Sequence, residues 1–195
     1  MAQQTMSSEC NPVAIISPHF IAPHPVDLTI VRKVLKITDG NFIVNDVNGN
    51  FMFKVKAPLL SLHDRRTILD SADRPIVSLR HEVLTSHSRW QVFRGESLDE
   101  KDLIFSAKTS SIIQLKTKLH VFLANNTSRG SLRLHGEGKL MHKKLTAKSI
   151  LIGKDTFNVT VYPNTDYGFI VALIVILDGI NSQYNPIKYY NVAVA

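Results

Sequence analysis

Late in the chain stands an uncharged, apolar run, Phe169-Ile170-Val171-Ala172-Leu173-Ile174-Val175-Ile176-Leu177, bracketed by Asp166 and Asp178. It has no polar face. A helix apolar on all sides must be buried on all sides, and a strand-rich chain can bury one by wrapping a sheet around it. The nine residues of the run fall well short of the roughly 20 apolar residues of a membrane span. A buried core segment is therefore expected, with no transmembrane span.

The run alone does not separate helix from strand, because Ile and Val favour strands and short apolar runs suit both. Its flanks favour helix. Asn164 and Thr165 are good N-caps and Asp166 suits a first turn. Gly179 suits a stop. A helix near 166–180 would be about 22 Å long at 1.5 Å per residue, about the height of a barrel of ordinary strands.

Before this run the chain reads as strand after strand. Leu28–Ile37 is rich in branched residues. Asp39-Gly40-Asn41 and Asp46-Val47-Asn48-Gly49 are turn sequences, since Asn and Gly tolerate positive φ. Phe51, Phe53 and Val55 alternate with Met52, Lys54 and Lys56 in the period of a half-buried strand. Further candidates are Arg66–Leu69, Pro75–Leu84, Trp90–Arg94, Leu103–Ala107, Leu119–Leu123, the pair Leu132 and Leu134, Leu145–Ile152 and Phe157–Val161. Turn signals every 8–12 residues or so fit a sandwich or barrel. Asp46 precedes Phe51, and Asp70 precedes Pro75, by the same five residues; each reads as an Asp-initiated turn of an ordinary hairpin. Residues 1–26, with four prolines and no period, read as an extended or mobile arm whose patches Val13–Ile16 and Phe20–Ile21 could strap onto the body. Residues 27–185 form one domain, and 186–195 a tail.

The 195 residues carry a net charge of +7, unevenly spread. From Gln114 to Lys154 there are nine basic residues and one acid, Glu137, a net +8 that leaves the remainder at −1. Such a segment speaks to partners rather than fold. Its plain reading is a solvated surface whose lysines discourage edge pairing. Its functional reading is a site for anionic partners, built from Lys116, Lys118, Arg129, Arg133, Lys139, Lys143, Lys144 and Lys148.

Chemistry is hard to find. The lone cysteine, Cys10, excludes an internal disulfide and suits a reducing compartment; in the arm it has no evident base to activate it. Arg32 is the first basic residue, so a secretory leader is not expected. The eight histidines, His19, His24, His63, His81, His87, His120, His135 and His142, show no metal-ligand spacing. His81 and His87 would lie roughly 20 Å apart on a strand, so all eight read as surface or turn residues. Gly136-Glu137-Gly138 lacks the third glycine of a dinucleotide loop. The acidic loop Glu96–Asp102 reads as solvated, and Trp90 and Phe93 as packing residues. No catalytic residue, metal or cofactor is expected.

Several stretches together resemble the plant LURP-one-related proteins, within the tubby-like and phospholipid-scramblase superfamily. They are Phe20-Ile21-Ala22-Pro23-His24-Pro25-Val26-Asp27-Leu28, Asp46-Val47-Asn48-Gly49-Asn50, Arg65-Arg66-Thr67-Ile68-Leu69-Asp70, Arg89-Trp90-Gln91-Val92-Phe93-Arg94-Gly95 and Val175-Ile176-Leu177-Asp178. The resemblance implies a mostly β (α+β) fold, tubby C-terminal-like, with a closed antiparallel barrel of about twelve strands around a central apolar C-terminal helix. It also implies a non-enzymatic module related to membrane-tethered transcription regulators that bind phosphoinositides, with some members linked to plant defence. Scramblase-like relatives bring palmitoylated cysteines and a calcium loop. This chain has one cysteine, and Asp46–Asn50 is too short for such a loop, which argues against scrambling.

The expected function is thus peripheral binding of anionic lipid head groups by the eight basic residues, in a protein that is cytoplasmic, at the plasma membrane, or nuclear. The alternative is a nucleic-acid-binding or protein-interaction module; a small-molecule carrier fits less well, because the apolar run would already fill a small barrel.

Overall fold

The structure is a computed structural model that describes residues 14–32, 42–57, 65–82, 89–109, 119–124, 151–153 and 156–184. Its strands are β1 (Val26–Arg32), β2 (Phe42–Asp46), β3 (Phe51–Lys56), β4 (Arg65–Leu69), β5 (Pro75–Glu82), β6 (Arg89–Arg94), β7 (Leu103–Thr109), β8 (Leu119–Leu123), β9 (Leu151–Gly153) and β10 (Thr156–Val161). The apolar run is helical and lies within α1 (Tyr167–Tyr184). Among the described residues no helix is long and apolar enough to cross a membrane.

All ten strands join one antiparallel sheet in the order β8-β7-β6-β5-β4-β3-β2-β1-β10-β9. Every neighbour but one is also a neighbour in sequence, as expected of strands linked by short turns. The exception is β1 against β10, where Val26 stands opposite Val161 and Ile30 opposite Phe157. Among the described residues no ladder joins β8 to β9, so hydrogen bonds do not close the sheet there. Against an expectation of a closed barrel of about twelve strands, ten strands stand among the described residues; of the candidates, Leu132, Leu134 and the 145–150 part of Leu145–Ile152 lie outside them.

The two-residue period decides which face is buried. Leu28 and Ile30, Phe42 and Val44, Phe53 and Val55, Val77 and Leu79, Trp90 and Val92, and Phe105 and Ala107 all point inward and are buried. They pack with Phe169, Val171, Ala172, Val175 and Ile176 of α1 in one core. Phe105 meets Phe169 edge-on at 5.1 Å. Five successive helix residues, Phe169 to Leu173, are buried. At 3.6 residues per turn, five in a row face every direction. The helix is therefore covered on all sides at that level, whether or not hydrogen bonds complete the sheet.

Two turns repeat one design. In each, an aspartate side chain accepts the N–H groups two and four residues on: Asp46 from Asn48 and Asn50, Asp70 from Ala72 and Arg74. The fourth position has positive φ, +82° at Gly49 and +59° at Asp73. The spacing noticed in the sequence is a repeated turn. Both carboxyls are held below the ordinary range by hydrogen bonds, chiefly from the Asn50 side chain to Asp46 and the Arg74 backbone to Asp70.

Gly179 departs from its expected role. It does not stop the helix, which runs on to Tyr184. Trp90 lies where a Cβ would stand, with its Cη2 only 2.8 Å from that position. The glycine is a seat for an indole ring.

Candidate functional site

Since α1 occupies the interior, the polar groups that matter sit at its two ends and on the outer face of the sheet.

Near the C-terminal end of α1, Asp178 receives two arginines. Arg66 of β4 donates from Nη1 to Asp178 Oδ2 at 2.9 Å and to the Val175 carbonyl at 3.1 Å. Arg32, the last residue of β1, pairs with Asp178 Oδ1. Arg66 is only 5% exposed, so its guanidinium depends on these acceptors; a buried charge without them would cost several kcal/mol. Its Cζ lies 5.5 Å from the centre of the Trp90 ring, and Trp90 stacks on His81 at 4.9 Å. The Trp90 indole N–H is buried without an acceptor. Arginine does not give up its proton, and no nucleophile stands beside a base here. The cluster clamps β1 and β4 to the helix.

At the other end, Asp166 caps α1. Its Oδ1 accepts the Phe169 N–H at 3.0 Å, the usual N-cap bond. Its Oδ2 accepts three successive N–H groups, from Ile15, Ile16 and Ser17, at 3.0, 2.7 and 3.2 Å. One carboxylate thus holds both the helix and the segment before β1. Phe20 follows, packing on Phe53 and Tyr167 and filling the space beside Gly168. Burial raises the Tyr167 phenol above its ordinary value, with the Asp166 charge adding to the rise.

On the outer face, the β6–β7 loop folds back over Phe93, which is fully buried although it points away from the helix. The Gly95 carbonyl accepts from Ser78 Oγ at 2.9 Å, and the Glu96 carbonyl from Arg65 at 3.0 Å. Arg80 spans the gap, 5.0 Å over the Phe93 ring, bonded to Gln91 and 3.6 Å from Glu100. The loop carboxylates of Glu96, Asp99 and Glu100 remain exposed.

The basic residues singled out from the sequence, Lys116, Lys118, Arg129, Arg133, Lys139, Lys143, Lys144 and Lys148, all lie outside the described residues. Trp90 and Phe93 are packing residues, as expected. His19 and His24 are exposed, but His81 is 3% exposed, which corrects its reading as a surface histidine: it faces inward with Val77 and Leu79. No group of three or more metal-ligating side chains occurs among the described residues. The Arg32–Asp178–Arg66 cluster escaped the sequence reading. Its one signal was Arg66 at an inward register, two residues before the buried Ile68.

A single antiparallel sheet packed on a C-terminal apolar helix, with polar clusters holding that helix near both ends, defines a class of β-rich scaffold. The LURP-one-related family model matches residues 26–178, and the chain belongs to that family. It is 50% identical over 190 residues to Protein LURP-one-related 10 of Arabidopsis thaliana, covering 88% of this chain and 98% of the relative. Protein LURP-one-related 15 of the same plant is 46% identical over 187 residues, covering 87% and 86%. Protein LURP1 is 43% identical over 184 residues, covering 85% and 89%. An X-ray structure of the Arabidopsis thaliana protein AT5G01750 superposes with a TM-score of 0.62 at 41% identity, covering 86% of this chain and 98% of that one.

Proposed function

We propose that this chain is a non-enzymatic, tubby-like module that binds anionic lipid head groups reversibly from its exterior. The observation that carries the reading is the run of buried residues Phe169 to Leu173 around the full turn of α1: the helix fills the space a carrier would need for its ligand. The sequence supplies the counterpart in the +8 segment between Gln114 and Lys154. Clustered Lys and Arg near an anionic leaflet contribute about 1 kcal/mol each, so four to six of them give reversible adhesion. A closed barrel of about twelve strands belongs to this reading: β8 and β9, the two ends of the ladder, run in opposite directions, so an even number of further strands would keep the alternation antiparallel. The resemblance to membrane-tethered regulators and to proteins of plant defence supports a cellular role in signalling at a membrane surface.

Sedimentation with phosphatidylcholine vesicles, with and without phosphoinositide, tests the proposal. Binding only in the presence of phosphoinositide, weakened by Lys143→Gln with Lys144→Gln, is the expected result. Equal, negligible binding to both vesicles overturns it.

A further inference from the structure

The described charges are sorted along the helix axis. The strand registers place the end of β1, the end of β3, the start of β4, the start of β6 and the end of β7 at the C-terminal end of α1. Arg32, Lys56, Arg66, Arg89 and Lys108 gather there. Among the described residues the acids at that end are Glu82 and Asp178. The opposite end, where the two Asp turns lie, carries Asp27, Asp46, Asp70 and Asp73 against Arg74 and Arg94, while the β6–β7 loop, with Glu96, Asp99, Glu100 and Asp102, reaches back along the outer face to Arg65 and Arg80.

Arg32 and Arg66 serve the fold through Asp178. Lys108 stands directly across from Arg89, where like charges are destabilising, and Glu82, across from Arg89 on its other side, balances only one of these two cations. An anionic partner at this end would relieve the repulsion.

We infer that the basic end of the barrel, around Lys56, Arg89 and Lys108, is the face that seats on an anionic lipid surface, with the acidic end turned away. The inference rests on the lipid-binding reading above and deepens it by naming the orientation. Two observations favour lipid phosphates over single-stranded nucleic acid. The aromatics at this end, Trp90 and Phe42, are buried, so among the described residues none is offered for base stacking. The ends are separated by strands of six or seven residues, about 20 Å at 3.3 Å per residue. That is roughly twice the Debye length at physiological salt. Once the basic end is seated, the acidic end is screened from the surface.

The test compares two triple variants of the full chain on phosphatidylcholine vesicles with and without phosphatidylserine. One is Lys56→Gln, Arg89→Gln, Lys108→Gln; the other, in the basic segment, is Lys143→Gln, Lys144→Gln, Lys148→Gln. About fivefold per charge predicts roughly a hundredfold loss of partitioning for the first. A matched set that keeps the charges, Lys56→Arg, Arg89→Lys, Lys108→Arg, is expected to retain binding. The single exposed change Lys56→Glu gives the same direction of effect with little demand on folding. If only the segment variant loses binding, the orientation is refuted while the lipid-binding reading stands. If the wild type ignores anionic vesicles, or retains only duplex DNA with a steep salt dependence, both fall.

Discussion

Replacing Gly179 by alanine sets two physical effects against each other. Within a helix, Gly→Ala is favourable by about 1 kcal/mol. Here the new methyl would meet Trp90 Cη2 at 2.8 Å and Arg66 Nη2 at 3.2 Å, and approach Trp90 Cζ2 more closely still. The indole is rigid, fully buried and stacked on His81, so it has nowhere to turn, and the helix must move. Overpacking of this kind costs about 1–3 kcal/mol. With a rigid ring on one side and a backbone on the other, the upper value applies. The net is a destabilisation of about 2 kcal/mol after the propensity gain is subtracted. For a chain of this size that lowers Tm by about 4–8 °C. Thermal and urea unfolding followed by circular dichroism measure it. In a Trp90→Phe background the two offending ring carbons are gone, so Gly179→Ala becomes neutral or mildly stabilising, a coupling of about 2 kcal/mol in a double-mutant cycle. A Gly179→Ala protein as stable as the wild type, or an equal cost in both backgrounds, would refute the reasoning.

Asp166→Ala removes a cap and the acceptor of three further N–H groups, and is expected to cost about 3 kcal/mol in urea unfolding, with Asp166→Asn costing less. Asp178→Ala leaves the buried Arg66 without its carboxylate and is expected to cost about 3–5 kcal/mol, which added salt does not restore. The lowered carboxyls of Asp46 and Asp70 stabilise the fold fully above the ordinary value of 3.8, and that contribution is lost as pH falls through their lower folded values. Carboxyl NMR titration of Asn50→Ala is expected to move Asp46 back toward the ordinary value and leave Asp70 unmoved.

Strand positions and the buried helix were legible because both follow from short-range periodicity. Alternation at Phe51–Val55 and Phe157–Val161 marks half-buried strands, and the unbroken run at Phe169–Leu177 marks an element buried all round. The two Asp turns were legible as spacing, since each bond is local. The helix-end clamps were not. Arg66 and Asp178 are 112 positions apart, and Asp166 and Ile16 are 150 apart, so nothing local announces the contact. Gly179 misled for a related reason: a glycine near a helix end reads as a stop unless the distant Trp90 is known to press against it. His81 misled because an inward histidine and an outward one have the same sequence spacing.

The order of the elements has a consequence for biosynthesis. Eight of the nine strand pairs in the sheet join strands adjacent in sequence and could zip up as each new strand leaves the ribosome, the β1–β10 seam being the exception, yet the element they enclose is translated after all of them. Until Tyr167 and its successors emerge, the greasy inner sides of the staves have no partner, and such surfaces aggregate. A nascent chain halted before the helix is thus a client for chaperones, and maturation waits on the translation of α1.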